Sequence, residues 1–126
     1  MPTTYELVVQ SGPSSYFTGA PTPAKGDVHR LSTEKPNVVG RSPDSSICIK
    51  DGFVARTHCE IKWDIERNQF AITDLDSYNG TFVNGAMLNK SQTTVLWPGD
   101  EIQCGRTSFL FQTTRNSNAQ CYGDET

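Results

Sequence analysis

The clearest pattern along the chain is a strict alternation over residues 59–66. Cys59, Ile61, Trp63 and Ile65 fall on one side, and Glu60, Lys62, Asp64 and Glu66 on the other. A period of two describes a β-strand with one face buried and one in water. Wound as a helix, the same residues would scatter their apolar groups around the cylinder. Arg67-Asn68 makes a turn, and residues 69–73 return with Phe70 and Ile72 facing inward, which completes a hairpin. A second hairpin is predicted where residues 81–83 and 86–88 flank Asn84-Gly85, a pair that tolerates positive φ at both centres of a type I′ turn. After a turn at residues 97–100, residues 101–104 and 108–111 pair around Gly105-Arg106.

Shorter β-like runs occupy residues 5–10, 37–40 and 47–49. Residues 11–15 carry turn chemistry, and residues 16–27, rich in Gly, Pro and Thr, read as an irregular connection too long for a simple hairpin loop. Residues 28–31 are the returning strand, with Val28 and Arg30 on one face and His29 and Leu31 on the other. No segment has helical periodicity. Many short strands with turn signals about every 8–12 residues indicate an all-β sandwich with mostly antiparallel pairing.

A chain of 126 residues is enough for one domain with a core of its own. Its 11 basic and 14 acidic residues leave a net charge of −3, which argues against a general nucleic-acid binder. A local basic pocket is still compatible with that balance. The first residues show no basic stretch followed by an apolar one, and no apolar run approaches the ~18 residues of a membrane span, so no membrane partner is expected. The cysteines, at 48, 59, 104 and 121, form no CxxC pair. They are expected to be reduced thiols in an intracellular protein of the nucleus or cytoplasm. Cys48, Cys59 and Cys104 read as small buried strand residues. A zinc site combining them with His58 suits no usual spacing, and no metal or cofactor is expected. The polar, aperiodic residues 113–126 are expected to be a flexible tail behind a domain spanning 1–112.

Three polar loops follow β-like runs: residues 40–42, 54–58 and 74–85. Loops held on a rigid sheet are where binding surfaces are usually built. Catalysis is not indicated. His58 has Thr57 and Cys59 beside it, but neighbours along a strand point to opposite faces, which argues against a nucleophile–base pair. Neither a glycine-rich phosphate loop nor an HExxH motif occurs. A non-enzymatic role is expected, with His58 as a hydrogen-bonding support. Arg41 offers a rigid fork of donors suited to phosphate oxygens. Asn79 carries both an amide donor and an acceptor, and Gly80 permits a turn that presents it. Taken alone, Asn79-Gly80 also fits a plain turn, and Arg56 a solvated charge.

Taken together, these residues resemble the forkhead-associated (FHA) domain family. Gly40-Arg41, the run Asp74-Leu75-Asp76-Ser77-Tyr78-Asn79-Gly80-Thr81-Phe82-Val83-Asn84-Gly85, and Pro98-Gly99-Asp100-Glu101-Ile102 with Gly105 match its motifs in order and spacing over roughly residues 5–112. The resemblance implies a β-sandwich of about eleven strands in two mostly antiparallel twisted sheets. It also implies a loop edge that binds a phosphothreonine-containing protein or peptide. The implied contact residues are Arg41, Ser42, Ala55, Arg56, Thr57, Ser77, Tyr78 and Asn79, supported by Gly40, His58, Gly80 and Thr81. A monomer that engages its partner without nucleic acid or membrane is expected. One departure matters: Ala55 stands where the family's Ser-x-x-His element has a phosphate-binding serine. Tyr78 stands where the family often has a smaller polar residue, and it would either supply a hydroxyl or narrow the pocket. Arg56 is placed to offset the lost hydroxyl. The alternative is an FHA scaffold with a weakened phosphate site that docks a partner independently of phosphorylation.

Overall fold

The structure is a computed structural model that describes residues 3–12 and 23–115. Among the described residues there are eleven strands and no helix. They are β1 (Thr3–Ser11), β2 (Val28–Arg30), β3 (Asn37–Gly40), β4 (Ile47–Cys48), β5 (Cys59–Asp64), β6 (Gln69–Asp74), β7 (Thr81–Val83), β8 (Ala86–Met87), β9 (Thr93–Val95), β10 (Glu101–Cys104) and β11 (Thr107–Arg115). Six form one sheet in the order β2-β1-β11-β10-β7-β8, and five form the other in the order β4-β3-β5-β6-β9. All pairings are antiparallel except β3 with β4, which run parallel.

The two sheets close over the side chains that alternation directs inward. Leu7, Val9, Val39, Ile61, Ile72, Ile102, Phe109 and Phe111 are all buried. Each contributes about 1.5–3 kcal/mol by leaving water. The core is graded along the strands. In the β5–β6 hairpin, Trp63 pairs with Phe70 at one end and Cys59 with Asp74 at the other. The Trp63 end carries an aromatic cluster, with Tyr5 and Trp63 both centred 5.0 Å from Phe70. The Cys59 end instead buries polar groups, including His58, Asp74, Ser77 and Thr81, and the binding loops leave from there.

The two predicted hairpins are present, and Asn84 and Gly85 both have positive φ, at 52° and 83°. Ile65 differs from expectation. The strand stops at Asp64, and Ile65 is 82% exposed. The reason is local: the Asp64 carboxylate accepts the N–H groups of Glu66 and Arg67 and the Arg67 guanidinium, which curls the chain into a turn. Strand β9 is not among the expected elements: Thr93, Thr94 and Val95 favour a strand by β-branching, but the run is short and does not alternate, and pairing with β6 makes it one. Strand β11 continues to Arg115, with Thr113, Thr114 and Arg115 opposite Tyr5, Thr4 and Thr3. The rest of the expected tail, residues 116–126, and residues 13–22 of the irregular connection lie outside the described residues.

Candidate functional site

The segment joining β4 to β5, residues 49–58, forms a strap across the polar end of the sandwich. Its anchor is Asp51, whose carboxylate is fully buried. One carboxylate oxygen accepts the Phe53 N–H at 2.9 Å, and the other accepts the Arg106 N–H and the Thr107 hydroxyl, each at 2.8 Å. A buried carboxylate is stable only when its lone pairs are occupied in this way. The bonds pin the strap to the β10–β11 turn.

Four consecutive carbonyls of the strap then hold the neighbouring loops. Phe53 O accepts the Asn79 side-chain amide at 2.9 Å, and Val54 O accepts Arg41 Nε at 3.0 Å. Ala55 O accepts the Arg41 N–H at 2.9 Å. Arg56 O accepts the Ser42 N–H at 3.2 Å and the Ser45 hydroxyl at 3.3 Å. Gly40 makes the last contact possible, since a Cβ there would lie 2.1 Å from Arg56 O.

His58 ties the strap to the third loop. Its Nδ1 accepts the Ala55 N–H at 2.9 Å, so the ring proton sits on Nε2, which donates to Gly80 O at 2.8 Å. The loop itself, residues 75–80, is wound on Asp74. The Ser77 and Thr81 hydroxyls each donate to Asp74 Oδ1 at 2.6 Å, and the Ser77 N–H donates to Oδ2 at 3.1 Å. The Gly80 N–H returns to the Ser77 hydroxyl at 2.9 Å, and Gly80 adopts φ +86°. Burial pushes the Asp74 carboxyl up, but the Ser77 and Thr81 hydrogen bonds outweigh it and hold the group below its ordinary value. From outside, Lys90 Nζ donates to Ser77 O and pairs with Asp76 at 3.3 Å.

These contacts bring Arg41, Ser42, Ala55, Arg56, Thr57 and Asn79 onto one rim. Arg41, Arg56, Thr57 and Asn79 are exposed there, while Ser42 and Ala55 are half-buried. Tyr78 projects into solvent with 95% of its surface free. Gly40, His58, Gly80 and Thr81 are buried supports. Ser77 is corrected from contact to support: it has no exposed surface, and its hydroxyl is spent on Asp74 and Gly80. Asp51, Phe53, Lys90 and Arg106 had no place in the sequence-based site, and Val54 and Asp74 stood in its loops without an assigned role. Only Asp74 had a legible signal, an aspartate three residues before a serine in a turn-rich run.

Such a rim presents groups suited to binding. Both ring nitrogens of His58 are engaged, so it is neither a free base nor a metal ligand. The Cys59 and Cys104 sulfurs lie 3.8 Å apart and fully buried. The Cys104 thiol is pushed well up by its contact with Cys59 and by burial, which keeps it protonated and unreactive. What faces outward is a guanidinium and a carboxamide fixed on adjacent carbonyls.

The fold and the site define a two-sheet β-sandwich with a polar loop rim gathered at one end. The model of the FHA domain matches residues 37–105, more than half of the chain, and the chain belongs to the FHA domain family. It is 36% identical over 106 residues to the oxoglutarate dehydrogenase inhibitor of Corynebacterium efficiens, covering 83% of this chain and 63% of that protein. It is 40% identical over 74 residues to the glycogen accumulation regulator GarA of Mycobacterium tuberculosis, covering 59% of this chain and 43% of that protein. The chain thus spans about half the length of the curated relatives it matches. Among solved structures it is similar to one described as a structural and functional analysis of phosphothreonine-dependent FHA domain interactions. The TM-score is 0.68 at 28% identity, with 86% of this chain and 95% of that chain covered.

Proposed function

We propose that this chain is a non-catalytic module that binds a phosphothreonine-containing segment of a partner protein. The observation that carries the reading is the mounting of Arg41 and Asn79 on the successive carbonyls of Val54 and Phe53. Arg41 Nε is committed to Val54, which leaves the terminal nitrogens of the fork for phosphate oxygens. Arg56 and Thr57 lie on the same strap with exposed side chains and complete the anion site, with Ser42 at its edge. Asn79 grips the ligand main chain beside the phosphothreonine, and Tyr78 forms the outer lip. The regulator and inhibitor names of the relatives support a role in which binding itself controls a partner. The similar structure described as phosphothreonine-dependent supports the choice of ligand.

Ala55 sets the strength of this site. It has no hydroxyl, and its N–H is already given to His58. A hydrogen bond to a charged group is worth about 1.5–3 kcal/mol, so affinity is expected to be roughly ten- to a hundredfold below that of a serine-bearing site. Arg56, exposed on the strap next to Ala55, offsets part of that loss. Preference for threonine over serine would gain about 0.8 kcal/mol from burial of one methyl.

Amide chemical shifts test the reading directly. A pool of phosphothreonine peptides should shift residues 41–42, 55–57 and 78–79, and the dephosphorylated pool should not. Shifts that are the same with both pools, or no shifts at millimolar peptide, would overturn it.

A further inference from the structure

Two nucleophilic groups take no part in the rim. Cys59 in β5 and Cys104 in β10 belong to different sheets, and their sulfurs face each other at 3.8 Å. Neither residue has exposed surface, and neither sulfur has another hydrogen-bond partner among the described residues. Neighbouring pairs hold the strands in place without them. Within the sheets, Cys59 stands opposite Asp74 and Cys104 opposite Thr81. Across the gap, the Thr81 hydroxyl donates to Asp74 at 2.6 Å. The sheets are therefore braced beside the thiols at a separation that brings the two sulfurs into contact. Closing that gap to the roughly 2.05 Å of a sulfur–sulfur bond moves each sulfur by about 0.9 Å.

We infer that Cys59 and Cys104 are a modification site, at which a low-molecular-weight disulfide such as oxidised glutathione converts the two thiols into a covalent bond between the sheets. The bond forms by two exchanges. The thiolate of one cysteine attacks the small disulfide, giving a mixed disulfide and one released thiol. The other cysteine attacks the protein sulfur of that mixed disulfide and releases the second thiol. The two protein thiols lose two electrons and two protons, and the small disulfide gains both. In the closed fold, contact with Cys59 and burial hold the Cys104 thiol protonated. The exchange therefore runs while the chain is open, during folding or local unfolding, and the closed core retains the product. The bond joins the strands that carry the rim. Cys59 follows His58, and Cys104 precedes the turn to which Asp51 is pinned. It closes a span of 45 positions, a long loop whose closure restricts the unfolded chain strongly. The inference is independent of the phosphopeptide reading and needs no ligand at the rim.

The test uses the full chain in buffers of graded reduced and oxidised glutathione, with enough urea for the core to open and close. Equilibrium is approached from the reduced and the oxidised side. After acid quenching, alkylation and proteolysis, mass spectrometry should recover the peptides of Cys59 and Cys104 linked and two hydrogen atoms lighter than the free pair. The double variant Cys48→Ser/Cys121→Ser leaves only this pair of the four cysteines. In it the disulfide should be favoured about 30- to 1,000-fold more under folding conditions than in strong denaturant. Its oxidised form should also melt at a higher temperature than its reduced form, and a reducing agent should reverse the rise. Cys104→Ala in the same background should melt at one temperature whatever the glutathione ratio. A pair no more oxidised under folding conditions than in denaturant overturns the inference. So does an oxidised form that melts below the reduced one, or a wild-type chain in which Cys59 and Cys104 are recovered only as free thiols or linked to other cysteines.

Discussion

Replacing Asp74 by Asn tests whether a buried carboxylate builds the loop that presents Asn79. Asp74 is 1% exposed. The two hydroxyl contacts to its Oδ1, at 2.6 Å, have the short length of charge-assisted hydrogen bonds. An asparagine oxygen could keep both hydroxyls, but as a neutral acceptor it would forfeit about 1 kcal/mol on each. Its amide nitrogen would face the Ser77 N–H, leaving a buried donor unsatisfied at about 1–3 kcal/mol. The neutral group is easier to bury, which returns part of the loss, so a net destabilisation of about 2–4 kcal/mol is expected. Urea unfolding at neutral pH, followed by tryptophan fluorescence, measures it. The pH dependence provides a second reading. The folded carboxyl of Asp74 lies below its ordinary value, so its stabilisation is complete above about pH 4 and is lost as pH falls through the folded value. The gap between wild type and Asp74→Asn should therefore narrow in acid. A variant within about 0.5 kcal/mol of wild type at neutral pH, or a gap that stays constant down to pH 3, would refute the reasoning.

Gly40→Ala places a Cβ 2.1 Å from Arg56 O, a backbone atom that must give way. A stability loss of about 2–4 kcal/mol, with amide shifts in residues 40–42 and 55–58, is expected; unfolding and spectra matching wild type would contradict the close approach. Ser77→Ala should cost about 1–3 kcal/mol of stability yet leave the phosphopeptide affinity of the folded protein within about threefold. Lost affinity at unchanged stability would return Ser77 to the contact set. Ala55→Ser should tighten phosphopeptide binding by roughly ten- to a hundredfold in a fluorescence titration. An unchanged affinity would show that a hydroxyl at this position does not reach the phosphate.

Much of this protein is decided over short stretches of chain. The alternation from Cys59 to Asp64 needs only a sheet to lie on, and Asn84-Gly85 closes its hairpin through its own backbone preferences. The order of the loop motifs identifies the family for the same reason, since each motif is a local turn with a required geometry. Elsewhere the partners lie far away in sequence. Thr93-Thr94-Val95 has β-branched propensity but no period, and the edge of β6 makes it a strand, while residues 113–115 take their place in the sheet opposite β1. Ile65 keeps the sequence period but leaves the sheet, because Asp64 captures the next two N–H groups. The site shows the same division. Arg41 and Asn79 are legible as residue types, but the carbonyl that holds Asn79 is 26 positions away. Asp51 reaches Arg106 across 55 positions, and neither residue shows a local pattern. Periodicity and turn stereochemistry act between neighbours, so sequence alone reveals them. Whether a polar side chain faces water or satisfies a distant backbone group depends on which loops the two sheets bring together. That is why Ser77 reads as a ligand contact in the sequence and becomes a buried support in the fold.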